Sequence, residues 1–514
     1  ARFQKEAENN LKSLLVDAMN KRNINFDTVA VFSTPRRLVA VVSDLPETTA
    51  AQVEEKRGPR IGSADKAIEG FIKSMKITRD QLFIKSEKRG EFFFARIDKK
   101  SEPIAPIISE VVLKLIIDFP WSNSMRWGSE SIKWIRPLHS ILCILHDENG
   151  CEIVPLRIAG MKACNTSCGH RFHSNNKFTV KSFEDYEKKL KKARVILDRN
   201  SRKEKIWNEA TTLAFAHNME VVEDKRLLEE ITGLVEWPVV LWGEIDNVFF
   251  ELPSEVLQAS MREHQKFFSV TRKNSKKIQS YISVANIETV DNGHAISLGN
   301  DKVLNARLTD ALFFWKNDLR NIRRNGYQSF KQNLIHMTFH HEIGSEYDRV
   351  KRISKIATKI AALIGANKKD VKVAASLCKL DLVSEMVFEF PELQGVMGKY
   401  YALESGFPEE VAEACLEHYS PKGPFDNVPE NLTSISIALA DKIDLITNFW
   451  AINLKPTGSK DPYALRRASI GIIRVILERG LDVSLLSLIN LGNGDIDLPD
   501  LINFFKERVR VHLI

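Results

Sequence analysis

The chain has 514 residues, of which 44% are hydrophobic and 27% charged. That is too long for one core and implies about three or four domains, while the composition excludes collagen-like and disordered classes. The net charge of +7, from 74 basic against 67 acidic residues, admits a polyanionic partner without demanding one.

Six cysteines (Cys143, Cys151, Cys164, Cys168, Cys378 and Cys415) are too sparse for a disulfide scaffold. Free thiols in a reducing cytosol are expected, and with them a cytoplasmic location. No apolar run reaches the length of a bilayer span, and no basic-then-apolar signal segment opens the chain. Because the first residue is Ala1 rather than Met, a start further upstream is expected.

In chain order, Phe3 to Lys21 places Leu11, Leu14, Leu15 and Ala18 at helical spacing. Val29 to Phe32 and Leu38 to Val42 read as strands around the turn Thr34-Pro35-Arg36-Arg37. Leu82 to Ile84 and Phe92 to Ile97 predict a hairpin about Lys88-Arg89-Gly90. A second hairpin is predicted over His139 to Ile158, turning at Asp147 to Gly150. Residues 183–217 read as helical and basic, interrupted by a strand at Val195 to Leu197. Glu236 to Trp242 and Tyr281 to Ala285 are further strands.

From about residue 330 the pattern is helical. Val350, Ile353, Ile356, Ile360 and Leu363 form one stripe that stops at Gly365. Pro408-Glu409-Glu410 starts another helix, and Ile435, Leu439, Ile443 and Ile446 mark a third. Asp461-Pro462 caps the next, which runs to Gly480. A linker is expected at Gly492 to Pro499, then an amphipathic helix from Leu501 to Ile514.

Four chemistries can be weighed. Cys164, Cys168, His170 and His173 offer metal-type donors, but all lie in one short segment rather than in two separated pairs, so an ordinary structural role is favoured. His340, His341, Asp381, His418, Asp441 and Asp444 resemble the scatter of an HD phosphohydrolase, whose His-Asp pair would fall at Leu380-Asp381. Leucine cannot ligate a metal, so the expectation is an HD-like scaffold with a degenerate site at His341, Asp381, His418 and Asp441 and no metal. Gly458-Ser459-Lys460 lacks the spacing of a phosphate loop. Finally, several segments join arginine or lysine to an aromatic or amide group, as RNA contacts require. They contain Arg36, Arg37, Arg126, Arg136, Arg171, Arg262, His264 and Lys266. For Arg36, Arg126, Arg171, Arg262, Lys266 and Arg466, a salt bridge or cap within the fold is an equally good reading.

Together the segments resemble one family, the β subunit of the two-subunit glycyl-tRNA synthetases. The resemblance rests on Ile231 to Pro238, Leu252 to Leu257, Met261 to Phe268, Ala306 to Trp315, Glu389 to Gly398, Glu417 to Pro421 and Lys455 to Arg467. It runs in order through essentially the whole chain.

It implies a multi-domain α+β fold. A mixed N-terminal segment at 1–60 would precede an α+β region with a B3/B4-like module at 61–325. A helical, degenerate HD-like domain would follow at 326–490. Residues 491–514 would be a linker and the start of a truncated anticodon-binding domain. It also implies a non-catalytic, tRNA-binding subunit that binds no cofactor itself. ATP and glycine would be used by the α subunit of an α2β2 assembly, and tRNA-Gly would be the shared substrate. Lys460, Arg466 and Arg467 join the RNA-contact candidates on this basis. A metal-dependent HD phosphohydrolase and an assembly scaffold without RNA contact are the alternatives.

Overall fold

The computed structural model describes residues 2–50, 52–75, 77–87, 90–99, 101–127, 132–275, 277–423, 425–458, 460–492, 494 and 496–513. The chain divides into two compact units. One holds residues 1–217, 223–242 and 282–296, the other 218–222, 243–281 and 297–514. Small sheets and helices alternate in the first unit, and helices dominate the second, so the fold is mixed α and β.

The first unit opens with helix Arg2–Lys21, which buries Ala7, Leu11, Leu15 and Met19 along one face. Strands Val29–Ser33 and Leu38–Val42 pair antiparallel with Val29 opposite Val42. The turn between them closes through the Thr34 N–H on the Arg37 carbonyl, 2.9 Å. Strands Leu82–Glu87 and Gly90–Lys99 form the expected hairpin, although its turn residues Lys88 and Arg89 lie outside the described residues. A third strand, Gln52–Arg60, pairs with Gly90–Lys99. Sequence reasoning passed over it because Gln52-Val53-Glu54-Glu55-Lys56-Arg57 carries little apolar signal, and pairing rather than burial makes it a strand. The hairpin Ile144–Asp147 with Gly150–Ile153 turns on Asp147, whose carboxylate accepts the Asn149 and Gly150 N–H groups.

Aromatic packing closes this part of the core. Phe119, Trp121 and Trp134 contact one another, with Trp121 at 4.3 Å from Phe119 and 4.8 Å from Trp134, and Phe119 at 5.2 Å from Trp134, between ring centroids.

Helices Phe183–Lys192 and Arg199–Ala216 are capped by Ser182 and Asp198, whose side chains accept the Asp185 and Ser201 N–H groups. The strand expected at Val195 to Leu197 does not form. Its Ile196 N–H bonds the Glu236 carbonyl at 2.9 Å, but the Ile196 and Leu197 carbonyls are taken by the Arg202 guanidinium, so no ladder forms. The strand expected from Glu236 starts instead at Val239. Asn286 Oδ1 takes the Glu236 and Trp237 N–H groups at 2.7 and 3.0 Å, and Pro238 has none to offer, so no ladder can begin there.

In the second unit, helix Glu346–Ile364 starts at a capping box of Ser345 and Asp348 and stops at Gly365 in a left-handed conformation, φ 76°. Helix Leu432–Ala451 is buried along almost its whole length. A helix buried on all sides belongs at the centre of a bundle, and helices Glu346–Ile364, Lys368–Leu377, Glu409–Glu417 and Leu465–Glu478 pack around it. Helix Leu465–Glu478 begins three residues beyond the expected Asp461-Pro462 start. The Asp461 carboxylate still caps it, accepting the Leu465 and Arg466 N–H groups at 2.9 and 3.0 Å. The last helix, Leu498–Leu513, contributes Leu501, Phe504 and Phe505 to the same core.

Gly243 shows how tightly this unit is packed. A Cβ there would stand 2.0 Å from Tyr281 Cζ. The tyrosine ring cannot yield, because it stacks on Phe267 at 4.6 Å and its hydroxyl donates to Asp301 at 2.6 Å. Gly243→Ala is expected to lower stability by about 3 kcal/mol through overpacking, read as a shift in the urea midpoint at unchanged slope.

Among the described residues, no helix is long and apolar enough to cross a membrane.

Candidate nucleic-acid interface and buried ionic centre

In the first unit, three segments separated in sequence converge: Thr34 to Arg37, Cys168 to His173 and Ile231 to Pro238. Arg37 joins them. One guanidinium nitrogen bonds the Glu236 carboxylate, and the other donates to the Cys168 and Gly169 carbonyls at 2.5 and 3.0 Å. Thr34 donates its hydroxyl to the same Glu236 oxygen at 2.6 Å. Arg202, fully buried, binds four carbonyls, those of Ser33, Ile196, Leu197 and Thr232, at 2.7 to 3.3 Å. Burial lowers its pKa to about 10, so it remains a cation at neutral pH.

Above this bed lies the loop Gly169 to Ser174. Gly169 sits so close to the end of helix Phe183–Lys192 that a Cβ would stand 2.4 Å from Ala193 Cβ. The His170 N–H donates to the Ala193 carbonyl at 2.9 Å. The His170 ring is buried, and desolvation holds its pKa below the usual histidine value. His173 accepts the Glu288 N–H on Nε2 at 3.0 Å. The two histidines that suggested metal binding are thus parts of a loop clasp.

The loop carries Arg171 and Phe172 outward, with the guanidinium 5.3 Å from the exposed phenyl ring. Beside it, Glu288 bonds the Trp237 indole N–H at 2.8 Å and Arg194 at 3.1 Å, and Arg194 lies 5.0 Å over the Trp237 ring.

Of the RNA-contact candidates in this unit, Arg36, Arg126, Arg136 and Arg171 are exposed. Arg126 and Arg136 flank the bridge between Met125 and Trp134, whose aromatic partner is a core anchor. Arg37 is the exception. It is engaged within the fold, bonding the Glu236 carboxylate and the Cys168 and Gly169 carbonyls.

In the second unit, Arg262 pairs with Glu263 at 3.4 Å on a short π-helix, Ser260–Gln265. His264 is exposed and lies edge-on to Phe390 at 5.8 Å. Lys266 closes the turn in a left-handed conformation, φ 58°. In Lys455 to Arg467, Ser459 lies outside the described residues. Thr457 and Lys460 exchange backbone bonds at 3.0 and 2.8 Å, and Arg466 donates to the Gly458 carbonyl at 2.8 Å. Lys460 and Arg467 face solvent. The segment is therefore a braced loop that presents two cations.

The same unit contains a buried ionic centre. Asp381, His418 and Asp441 come together in the interior, while His341 is exposed and pairs with Glu342 at 3.1 Å. The centre is organised by cations that sequence reasoning did not single out. Arg349 and Lys379 each approach Asp441 Oδ1 at 3.0 Å, and Arg352 binds Asp444 at 2.6 Å. Lys379, wholly buried, also lies 3.8 Å over the Tyr419 ring. Lys442 donates to the Ser420 carbonyl at 2.6 Å, and burial lowers its pKa to about 8. Burial opposes the Asp441 charge, but Arg349 and Lys379 prevail and hold its carboxyl far below the usual range. Burial also pushes His418 well below the usual histidine value, and its Nδ1 lies 2.8 Å from the Cys415 carbonyl. The one signal in the sequence is Asp441-Lys442-Ile443-Asp444, three charges inside an otherwise apolar helix.

These residues do not fit a divalent metal. Leu380 is not a donor, Asp441 is already neutralised by two protein cations, and Asp381 Oδ2 receives the Gly395 and Gly398 N–H groups at 2.5 and 3.1 Å.

Asp381 makes a pH prediction. Burial raises its pKa from 3.8 to about 6, against the two backbone bonds and Lys379, which favour the charge. A carboxyl whose folded pKa is raised contributes most below its unfolded value, and that contribution is lost as pH rises through the folded one. The Tm advantage of Asp381→Asn over the parent is therefore expected to grow between pH 4 and 6 and stay level above, with a span of about 3 kcal/mol. Parallel thermal melts across that range measure it.

A helical centre whose carboxylates are neutralised by the protein's own cations does not have the donor set of a metal-dependent hydrolase. The family described as glycyl-tRNA synthetase beta subunit matches residues 1–514. Curated relatives named glycine–tRNA ligase beta subunit include one from Paracoccus denitrificans (strain Pd 1222), 48% identical over 513 residues, which covers 100% of this chain and 75% of that protein. One from Ruegeria sp. (strain TM1040) is 48% identical over 514 residues, with the same coverage. One from Dinoroseobacter shibae is 50% identical over 495 residues, 96% of this chain and 69% of that protein. The chain belongs to the glycyl-tRNA synthetase beta subunit family, a family of aminoacyl-tRNA synthetase subunits.

Proposed function

We propose that this chain is the tRNA-binding, non-catalytic part of a glycine–tRNA ligase. It holds tRNA-Gly for glycylation by an α subunit, which uses ATP and glycine, in an α2β2 assembly in the cytoplasm. Residues 61–325 would include a B3/B4-like module and 326–490 a degenerate HD-like domain. The chemistry needed from this chain is positioning. A tRNA whose 3′ end is held beside activated glycine reacts as an oriented pair rather than by random encounter.

The observation that carries this reading is the meeting of Thr34 to Arg37, Gly169 to His173 and Ile231 to Pro238. They form one braced structure from which Arg36, Arg171 and Phe172 project. Aminoacylation with purified subunits tests it. Charging is expected only when the complete β chain is mixed with α, with a β–tRNA affinity that falls steeply with salt. Charging by β alone would place the chemistry on this chain and overturn the reading. The HD phosphohydrolase alternative is disfavoured by its own donors, since Lys379 and Arg349 already neutralise Asp441.

A further inference from the structure

The end of helix Phe183–Lys192 and the loop Gly169 to Ser174 form one surface of the first unit. Their junction is close: the His170 N–H bonds the Ala193 carbonyl, and Gly169 has no room for a side chain against Ala193. Lys188, Lys191 and Lys192 are exposed on the helix, and among the described residues none of them has a carboxylate partner. Lys189 is the one that is spent, on Asp185 at 2.7 Å. Glu184 and Asp185 lie in the first turn of the helix, away from Lys191 and Lys192, and Glu187 is exposed between them. Glu288, whose N–H bonds His173, is occupied by Arg194 and Trp237.

Lysines in a last turn also offset the helix dipole, which by itself explains them without a ligand. The dipole gives no reason for Phe172. Phe172 is 63% exposed, on a loop tied down beneath by Arg37 at the Cys168 and Gly169 carbonyls and by the buried His170. An aromatic face held in solvent beside unpaired cations is the arrangement that stacks a nucleobase and holds its phosphates.

We infer that this face binds a short unpaired segment of the tRNA, with one base stacked on Phe172 and its flanking phosphates on Arg171, Lys191 and Lys192. The inference rests on the tRNA-binding reading above and adds where unpaired nucleotides are held. A duplex cannot use the site in the same way, because its bases are already stacked on one another.

The test uses the complete α–β complex and tRNA-Gly. Phe172→Ala and Phe172→Leu are expected to weaken tRNA binding about tenfold, while Phe172→Trp retains it, because stacking rather than apolar bulk is lost. Lys191→Gln with Lys192→Gln is expected to reduce the slope of log affinity against log salt by about 1–2. A single-stranded oligonucleotide should compete with tRNA on the parent complex and lose that ability on Phe172→Ala, while a duplex of equal length competes alike on both. Parent-like tRNA binding by Phe172→Ala and by the double lysine variant would overturn the inference while leaving tRNA binding by the subunit intact. Weakened α association with unchanged tRNA affinity would also overturn it and assign the face to the α subunit. Failure of the parent complex to bind tRNA at all would overturn both readings.

Discussion

Asp441→Asn is expected to destabilise the second unit by about 3–5 kcal/mol, the usual cost of removing one partner from a buried ionic group. Arg349 and Lys379 both meet Asp441 Oδ1 at 3.0 Å, and each is at least nine-tenths buried. Without the carboxylate, two cations face each other in the interior, since Arg349 keeps Glu346 and a 3.7 Å approach to Asp444 but Lys379 has no other carboxylate within salt-bridge distance among the described residues. The coupling separates this from a simple packing loss. Lys379→Met on its own should also be costly, because it strips Asp441 of one of its two counterions. Combined with Asp441→Asn it should cost clearly less than the sum, with an interaction of about 1–3 kcal/mol. Urea denaturation of the four proteins measures it. Additive losses would show that Lys379 and Asp441 do not act as a pair.

Arg202→Met is expected to be comparably severe for the first unit, about 3–5 kcal/mol. The guanidinium is fully buried and donates to the carbonyls of Ser33, Ile196, Leu197 and Thr232. Methionine fills much of the volume and supplies none of the donors, so four carbonyls lose their partner where water has little access. Arg202→Lys should rescue little, because an ammonium carries three donors from a single point and cannot span four acceptors arranged around a plane. The readout is the thermal midpoint together with protection of the Ile196 amide from hydrogen exchange. That amide bonds Glu236, the residue that also receives Arg37 and Thr34. Loss of Arg202 should therefore expose it before the unit unfolds.

Both centres bear on how such a protein is read. Local signals were legible where one segment settles its own structure. The stripe from Val350 to Ile360, its stop at Gly365, the hairpin turns and the Asp461 cap follow from side-chain period, backbone freedom and local bonding, whereas Leu363, expected on the same stripe, is exposed. The family itself was legible because its segments are long and ordered along the chain. Strand Gln52–Arg60 was not, because a polar strand is made by its partner. Nor was the absence of a strand at Val195 to Leu197, where the apolar residues suit a ladder that no neighbour supplies.

The chain alone thus determined helix stripes, turns, caps and family, all of which depend on neighbours in sequence. Only the tertiary structure decided what the charged residues do. Arg36 and Arg37 are adjacent and chemically identical, yet one faces solvent and the other clamps Glu236 to the Cys168 and Gly169 carbonyls. His341 and His418 looked like members of one set, yet one is at the surface and the other is held neutral in the interior. Lys379, beside Leu380-Asp381, gave no local sign that it would serve as the buried counterion of Asp441. A charge acquires its role from its dielectric surroundings and its partners, and those are fixed by segments far away in the chain.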